Sequence, residues 1–333
     1  MKNLFNFQRT KMIDEAALNH KPATLFSTLL PFVLVYMISQ LLAGFIQTIP
    51  TMVYIFTTPA YKELMSSAMN GTLTEDKLSE VLTLMITDIP SWLIAVSLIS
   101  FAAIIVCSVF YCVKIEKRPV SSMGFRKNGA VKEYLIGMGI GLVMLGLSFL
   151  IAFLTGSVTV AMGSFSPLII LFFVGFVIQG AGEETLVRGY LMVSIARDYR
   201  ASVAVVVSSV AFSLLHLGNE GFGIIPFINI VLVGIFLGVY VFKRGSLWGA
   251  CAIHSMWNFA LGNIFGISVS GMSTMPSVFA VTSKPELSIL NGGDFGLEGG
   301  ICVTLVLLVS IALILLVKQK PDEITDAKVD YFA

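Results

Sequence analysis

Long apolar stretches separated by short polar ones organise this chain from about residue 25 onward. A helix that crosses the hydrocarbon core of a bilayer needs ~20 mainly apolar residues. Eight stretches answer to this, at about 25–49, 90–113, 133–156, 166–190, 201–218, 223–242, 246–263 and 299–317. The fifth and seventh are shorter and interrupted by polar residues. In the third, Gly137 and Gly141 form a small-xxx-small face that suits close helix packing. The first two dozen residues are polar and lack the short apolar core and small-residue cleavage site of a signal peptide, so the first stretch is expected to persist as a spanning helix.

Charge orients these helices. Lys and Arg concentrate on the cytoplasmic side of membrane proteins. With the N-terminus inside, only Lys62, Lys77 and Lys284 of the 21 Lys and Arg fall outside, and an odd number of helices would spoil that alternation. The expectation is an all-α, polytopic membrane helix bundle of about eight transmembrane helices with both termini cytoplasmic. Its parts are a cytoplasmic N-terminal segment (1–24), three helices with a long outer loop at 50–89 (25–163), four further helices (164–263), a second outer loop (264–298), and the last helix with a cytoplasmic tail (299–333). The first outer loop has room for a short amphipathic helix around Glu75 to Leu84. The second, rich in Gly, Ser and Pro, reads as irregular.

Composition agrees. Charged residues make up 12% of the chain, half the ~25% of a soluble domain, and hydrophobic residues 56%. A net charge of +1 with no arginine-rich stripe gives no reason to expect nucleic acid as a partner. Cys107, Cys112, Cys251 and Cys302 sit in or beside apolar runs without a CxxC pair, and read as small packing residues.

Chemistry concentrates on three helices. The first, second, third, sixth and eighth stretches have no ionisable residue in their interiors. The fourth carries Glu183, Glu184 and Arg188, the fifth His216, and the seventh His254 with Asn258. An unpaired charge at the bilayer centre costs roughly 2.5–3.5 kcal/mol even on lenient scales, so an intramembrane cluster points to a functional site. Glu184 and Arg188 are four apart and can pair on one face, which makes a structural ion pair as good a reading as a chemical role. Glu183 projects ~100° away from Glu184. Phe212 and His216 are four apart, as are His254 and Asn258. Two histidines, a carboxylate and an amide could thus converge, with Phe212 only packing and Asn258 serving as a catalytic donor or an interhelical hydrogen bond. His20 falls in the polar start of the chain. Asn219, Glu220 and Asn229 match no motif.

The run Glu183-Glu184-Thr185-Leu186-Val187-Arg188 resembles the EExxxR motif of the CPBP family, the CAAX proteases and bacteriocin-processing enzymes. Phe212 to His216 resembles its FxxxH motif, and His254 to Asn258 its HxxxN motif. One such motif is weak, but three in order on apolar helices are specific, and together they cover about residues 165–262. The resemblance implies an intramembrane endopeptidase in which Glu183 with His216 activates water. His254 and Asn258 would form the oxyanion hole, and Glu184 with Arg188 would orient the helix and the neighbouring carboxylate. The family has also been described as metal-dependent; on that reading Glu183, His216 and His254 would hold a divalent metal such as zinc.

The implied partners are membrane lipid and a membrane-associated peptide or protein: a prenylated CAAX tail, a leader peptide or a peptide precursor. The implied location is a cell membrane, and the compact loops favour a bacterial one. Two rivals remain open, a catalytically silent membrane scaffold or immunity factor of the same family and an ion-coupled transporter, though no inverted repeat supports the transporter. The chain has no HExxH, GxGD or Gly-x-Ser-Gly motif of other intramembrane proteases. Straight helices raise a problem of depth. Glu183 would lie near the cytoplasmic face, His216 ~22 Å from it and His254 ~12 Å from it. A bend of the fourth helix near Gly180 or Gly182 is therefore expected, bringing the three together around a polar cavity in the cytoplasmic half.

Overall fold

The computed structural model describes residues 7–18, 22–79, 83, 89–273 and 276–320. All eight apolar stretches are helical. In chain order the main helices are α1 (Lys11–Ala17), α2 (Leu25–Thr57), α3 (Pro59–Met69), α4 (Ser91–Ile115), α5 (Ala130–Leu154), α6 (Leu168–Ala196), α7 (Ala201–Leu214), α8 (Ile224–Arg244), α9 (Leu247–Phe259) and α10 (Ile301–Leu316). Of these, α2, α4, α5, α6 and α8 are long and apolar enough to cross a membrane, while α7 and α10 are apolar but shorter. The protein is an integral membrane helix bundle.

The end of the first spanning helix differs from the expectation. The first spanning helix does not stop near residue 49: α2 has 33 residues, ~50 Å, and outruns the bilayer. It ends because Thr58 precedes Pro59, which disfavours helical backbone at Thr58 and then starts α3 from its first position. Of the helix expected around Glu75 to Leu84, residues 75–79 and 83 are helical, and 80–82 and 84 lie outside the described residues. The second outer loop is not simply irregular. Phe279–Ser283 (β2) pairs antiparallel with Val158–Met162 (β1), with Val158 opposite Ser283. Both segments are rich in β-branched residues, and they form the one strand pair among the described residues.

The two ends of the described chain meet. Gln8 N donates to Gln319 Oε1 (3.1 Å) and Gln319 Nε2 to Gln8 O (2.9 Å). At the same end α1, inside the segment expected only to be polar, buries Met12, Ile13 and Ala16. Glu116 there pairs with Arg118 and Arg197 at 2.8 Å each.

The core is organised around α9, which packs against α5 on one side and α6 on another. Small residues permit the approach. A Cβ at Gly141 would lie 2.5 Å from Ile253 O, and one at Gly137 would collide with Gly249 O. On the other side, a Cβ at Gly180 would lie 2.6 Å from Ser255 Oγ. The small-xxx-small face thus sets backbone against backbone where α9 carries His254.

Candidate active site

The helix α6 is regular from Leu168 to Glu184, becomes a π-helix over Thr185–Met192, and returns to α-helix over Val193–Ala196. Its irregularity therefore follows the Glu-Glu pair directly and is not at Gly180 or Gly182; those glycines serve close contact, Gly182 against Phe101 O. Short π segments occur often at functional sites because the wider turn re-aims side chains. A second one, Ala260–Ile264, follows Asn258. The helix α6 runs to Ala196 rather than 190, so Glu183 lies near its middle and not near its end. His216 lies in the turn just past the end of α7, and His254 lies midway along α9.

His254 stands between the two glutamates. Its Nδ1 is 2.9 Å from Glu184 Oε1, and its Nε2 is 3.6 Å from Glu183 Oε2. Glu184 Oε1 also accepts from Arg188 Nη1 at 2.8 Å, and Glu184 and Arg188 are wholly buried. The i,i+4 pair expected from spacing is thus formed, and it also holds His254. His216 Nδ1 is 2.9 Å from Phe212 O. A carboxylate and a carbonyl both accept, so each imidazole carries hydrogen on Nδ1 and keeps Nε2 for other partners. Phe212 packs on three of these groups. Its ring lies edge-on to His216 (4.9 Å) and His254 (5.9 Å), and the Arg188 guanidinium sits over it at 4.4 Å.

One site residue was missed. Gln179 Nε2 donates to Glu183 Oε1 (3.0 Å), and Gln179 Oε1 accepts from Asn258 Nδ2 (2.9 Å). The available signal was an amide one turn ahead of Glu183 in an apolar helix. Of the two readings of Asn258, the interhelical hydrogen bond is present, and one amide hydrogen stays uncommitted. Glu183 Oε2 receives no hydrogen bond from the described residues.

Glu183, His216, His254, Asn258 and Gln179 all line one cavity of ≈ 190 Å³. Its wall continues into the second outer loop. Glu298 Oε1 accepts from Trp257 Nε1, and Glu298 Oε2 from both Ser270 N and Ser270 Oγ, each at 2.8 Å. Asn229 Nδ2 donates to Glu298 O (2.7 Å) and Asn219 Nδ2 to Ser270 O (2.8 Å). The asparagines that match no motif thus fasten a cap over the cavity. His20 lies outside the described residues.

A water held between Glu183 Oε2 and His254 Nε2 would reach both, since their 3.6 Å separation is shorter than two hydrogen bonds end to end. A zinc site with protein ligands only would need three donors converging at ~2.0–2.2 Å from one point. Among the described residues no group of three His, Cys, Asp or Glu is arranged to hold a metal, so Glu183, His216 and His254 do not fit that requirement as they stand.

No curated protein and no solved structure matches the chain. The part that carries all three motifs does match a family: residues 164–260 fit the family model of the Rce1-like type II CAAX prenyl endopeptidases, consistent with the CPBP resemblance and with a protease.

Proposed function

We propose that the protein is an intramembrane endopeptidase that hydrolyses a peptide bond in a membrane-associated substrate, with Glu183 as the base that activates water. The observation that carries this reading is the placement of His254. Glu184 fixes its Nδ1, and its Nε2 faces the free oxygen of Glu183 within the cavity. Structural ion pairing alone would need Glu184 and Arg188 but not the second carboxylate.

Glu183 Oε2 takes a proton from water as the water oxygen attacks the peptide carbonyl carbon. His216, anchored through Nδ1 to a backbone carbonyl, orients that water through Nε2. Negative charge develops on the carbonyl oxygen, where the uncommitted Asn258 amide hydrogen and His254 supply stabilisation. When the C–N bond breaks, Glu183 returns its proton to the leaving amine, giving a carboxylic acid and a free amine. Gln179 keeps Oε1 of Glu183 occupied, so that Oε2 does the work. No step passes through a metal.

The test is comparative proteomics of membrane peptides between a null strain and the same strain complemented with wild type or Glu183→Gln. Wild type should restore a defined set of cleavages, and Glu183→Gln at equal abundance should restore none. Restoration by Glu183→Gln would move the base elsewhere. Purified enzyme should also keep its turnover after chelation; loss that zinc restores would replace the metal-free mechanism.

A further inference from the structure

Two carboxylates line the catalytic cavity, Glu183 and Glu298, and among the described residues no Lys or Arg does. The charge of Glu184 is met by Arg188. Glu183 has His254 beside it. Glu298 has no ion pair among the described residues. Its partners are three uncharged donors, the Trp257 indole and the Ser270 amide and hydroxyl. Both of its oxygens accept, as those of an ionised carboxylate do. The donors fix the position of Glu298 and leave its charge to be met by whatever enters the cavity.

The geometry also says where on a substrate that charge would be met. Trp257 follows His254 by three residues on α9, ~4.5 Å along the helix axis. An extended peptide advances ~3.3 Å per residue. Glu298 and Glu183 line the same cavity of ≈ 190 Å³, so a side chain reaching Glu298 belongs to a residue close to the bond presented to Glu183 and His254. Two further carboxylates lie outside the cavity lining. Glu220 and Asp294 are both exposed, and the backbone around Gly221 lies against Phe295, next to Asp294. A free carboxylate entering the cavity would meet Glu183 and Glu298 and, among the described lining residues, no Lys or Arg.

We propose that Glu298 is a specificity residue that selects substrates with a lysine or arginine side chain within about two residues of the cleaved bond. This rests on the protease reading above, and the experiment separates the two. Short apolar peptides, N-acetylated and C-amidated, carry a single Lys, Arg, norleucine or Glu stepped along the sequence. They are offered to the purified full-length protein in detergent. Cleavage is followed by mass spectrometry, and binding by anisotropy of the same peptides bearing an uncharged dye.

Lys and Arg at one or two positions should be favoured over norleucine by about tenfold, with Glu disfavoured. In Glu298→Gln that ratio, taken within the variant so that yield does not enter, should fall toward one. Equal handling of Lys and norleucine by wild type overturns the proposal, as does a preference that survives Glu298→Gln. A preference for an unacetylated norleucine peptide equal to that for Lys would overturn the side-chain source in favour of a terminal amine. Lys-selective binding without cleavage supports the subsite and counts against the protease reading; cleavage without selectivity does the reverse. Failure of every peptide to bind or be cut overturns both.

Discussion

At the scale of the residue, orientation matters more than proximity. His254 has a carboxylate at each ring nitrogen, and Glu183 has one oxygen tied to Gln179 and the other left for chemistry. In the proposed mechanism Gln179 thus decides which oxygen of Glu183 acts as the base. Gln179→Leu keeps the volume but removes the donor to Glu183 and the acceptor for Asn258. A hydrogen bond to a charged group is worth about 1.5–3 kcal/mol, so kcat should fall about 10- to 100-fold. Kinetics on any substrate found by the proteomic comparison would check this, and an unchanged kcat would make Gln179 a packing residue. Glu183, Glu184, Arg188, His216 and His254 stood out in the sequence because a charged or imidazole side chain in an apolar helix is conspicuous, and Asn258 through its place four residues after His254. Gln179 was not, since a lone amide in such a helix is ordinary interhelical glue. Glu298 was hidden for a different reason: it sits in a loop, where carboxylates are expected.

At the scale of the element, the helices were read well and their interiors poorly. Hydrophobic length located all eight apolar helices, and the contact of Gly137 and Gly141 with α9 follows from their spacing. No periodicity announces the π-helix at Thr185–Met192, because hydrogen-bond register leaves no mark in a run of apolar residues. That segment nonetheless presents Arg188 to Glu184 and to the face of Phe212. Breaking a buried pair by removing one partner costs roughly 3–5 kcal/mol. Arg188→Ala should therefore lower both yield and thermal stability in detergent as well as activity. Wild-type melting behaviour in this variant would show that α6 does not depend on the pair. The strand pair β1–β2 escaped notice because each strand has five residues and lies beside long apolar helices, where short β-branched runs carry little weight.

At the scale of the whole molecule, the bundle closes on itself at both ends. Gln8 and Gln319 join the two ends of the described chain on one face, while Asn219, Asn229 and Glu298 fasten the cap over the cavity. Charge alternation put both ends on one side, and their contact is compatible with that expectation. The fastening of the cap needed three dimensions, since its residues come from the turn after α7, from α8 and from the loop before α10. The cap also has an optical consequence. The indole of Trp257 is buried at the cavity wall with its N–H on Glu298, and the only other tryptophans in the chain are Trp92 and Trp248. With those two changed to Phe, Trp257 becomes a built-in lamp beneath the cap. Its emission should be shielded from acrylamide while Ser270 and Glu298 stay joined, and should become quenchable in Ser270→Pro, which removes the Ser270 amide and hydroxyl from Glu298 Oε2 and cannot keep the positive φ of Ser270. Equal quenching in the two proteins would mean that the cap leaves the indole open to small solutes even when latched.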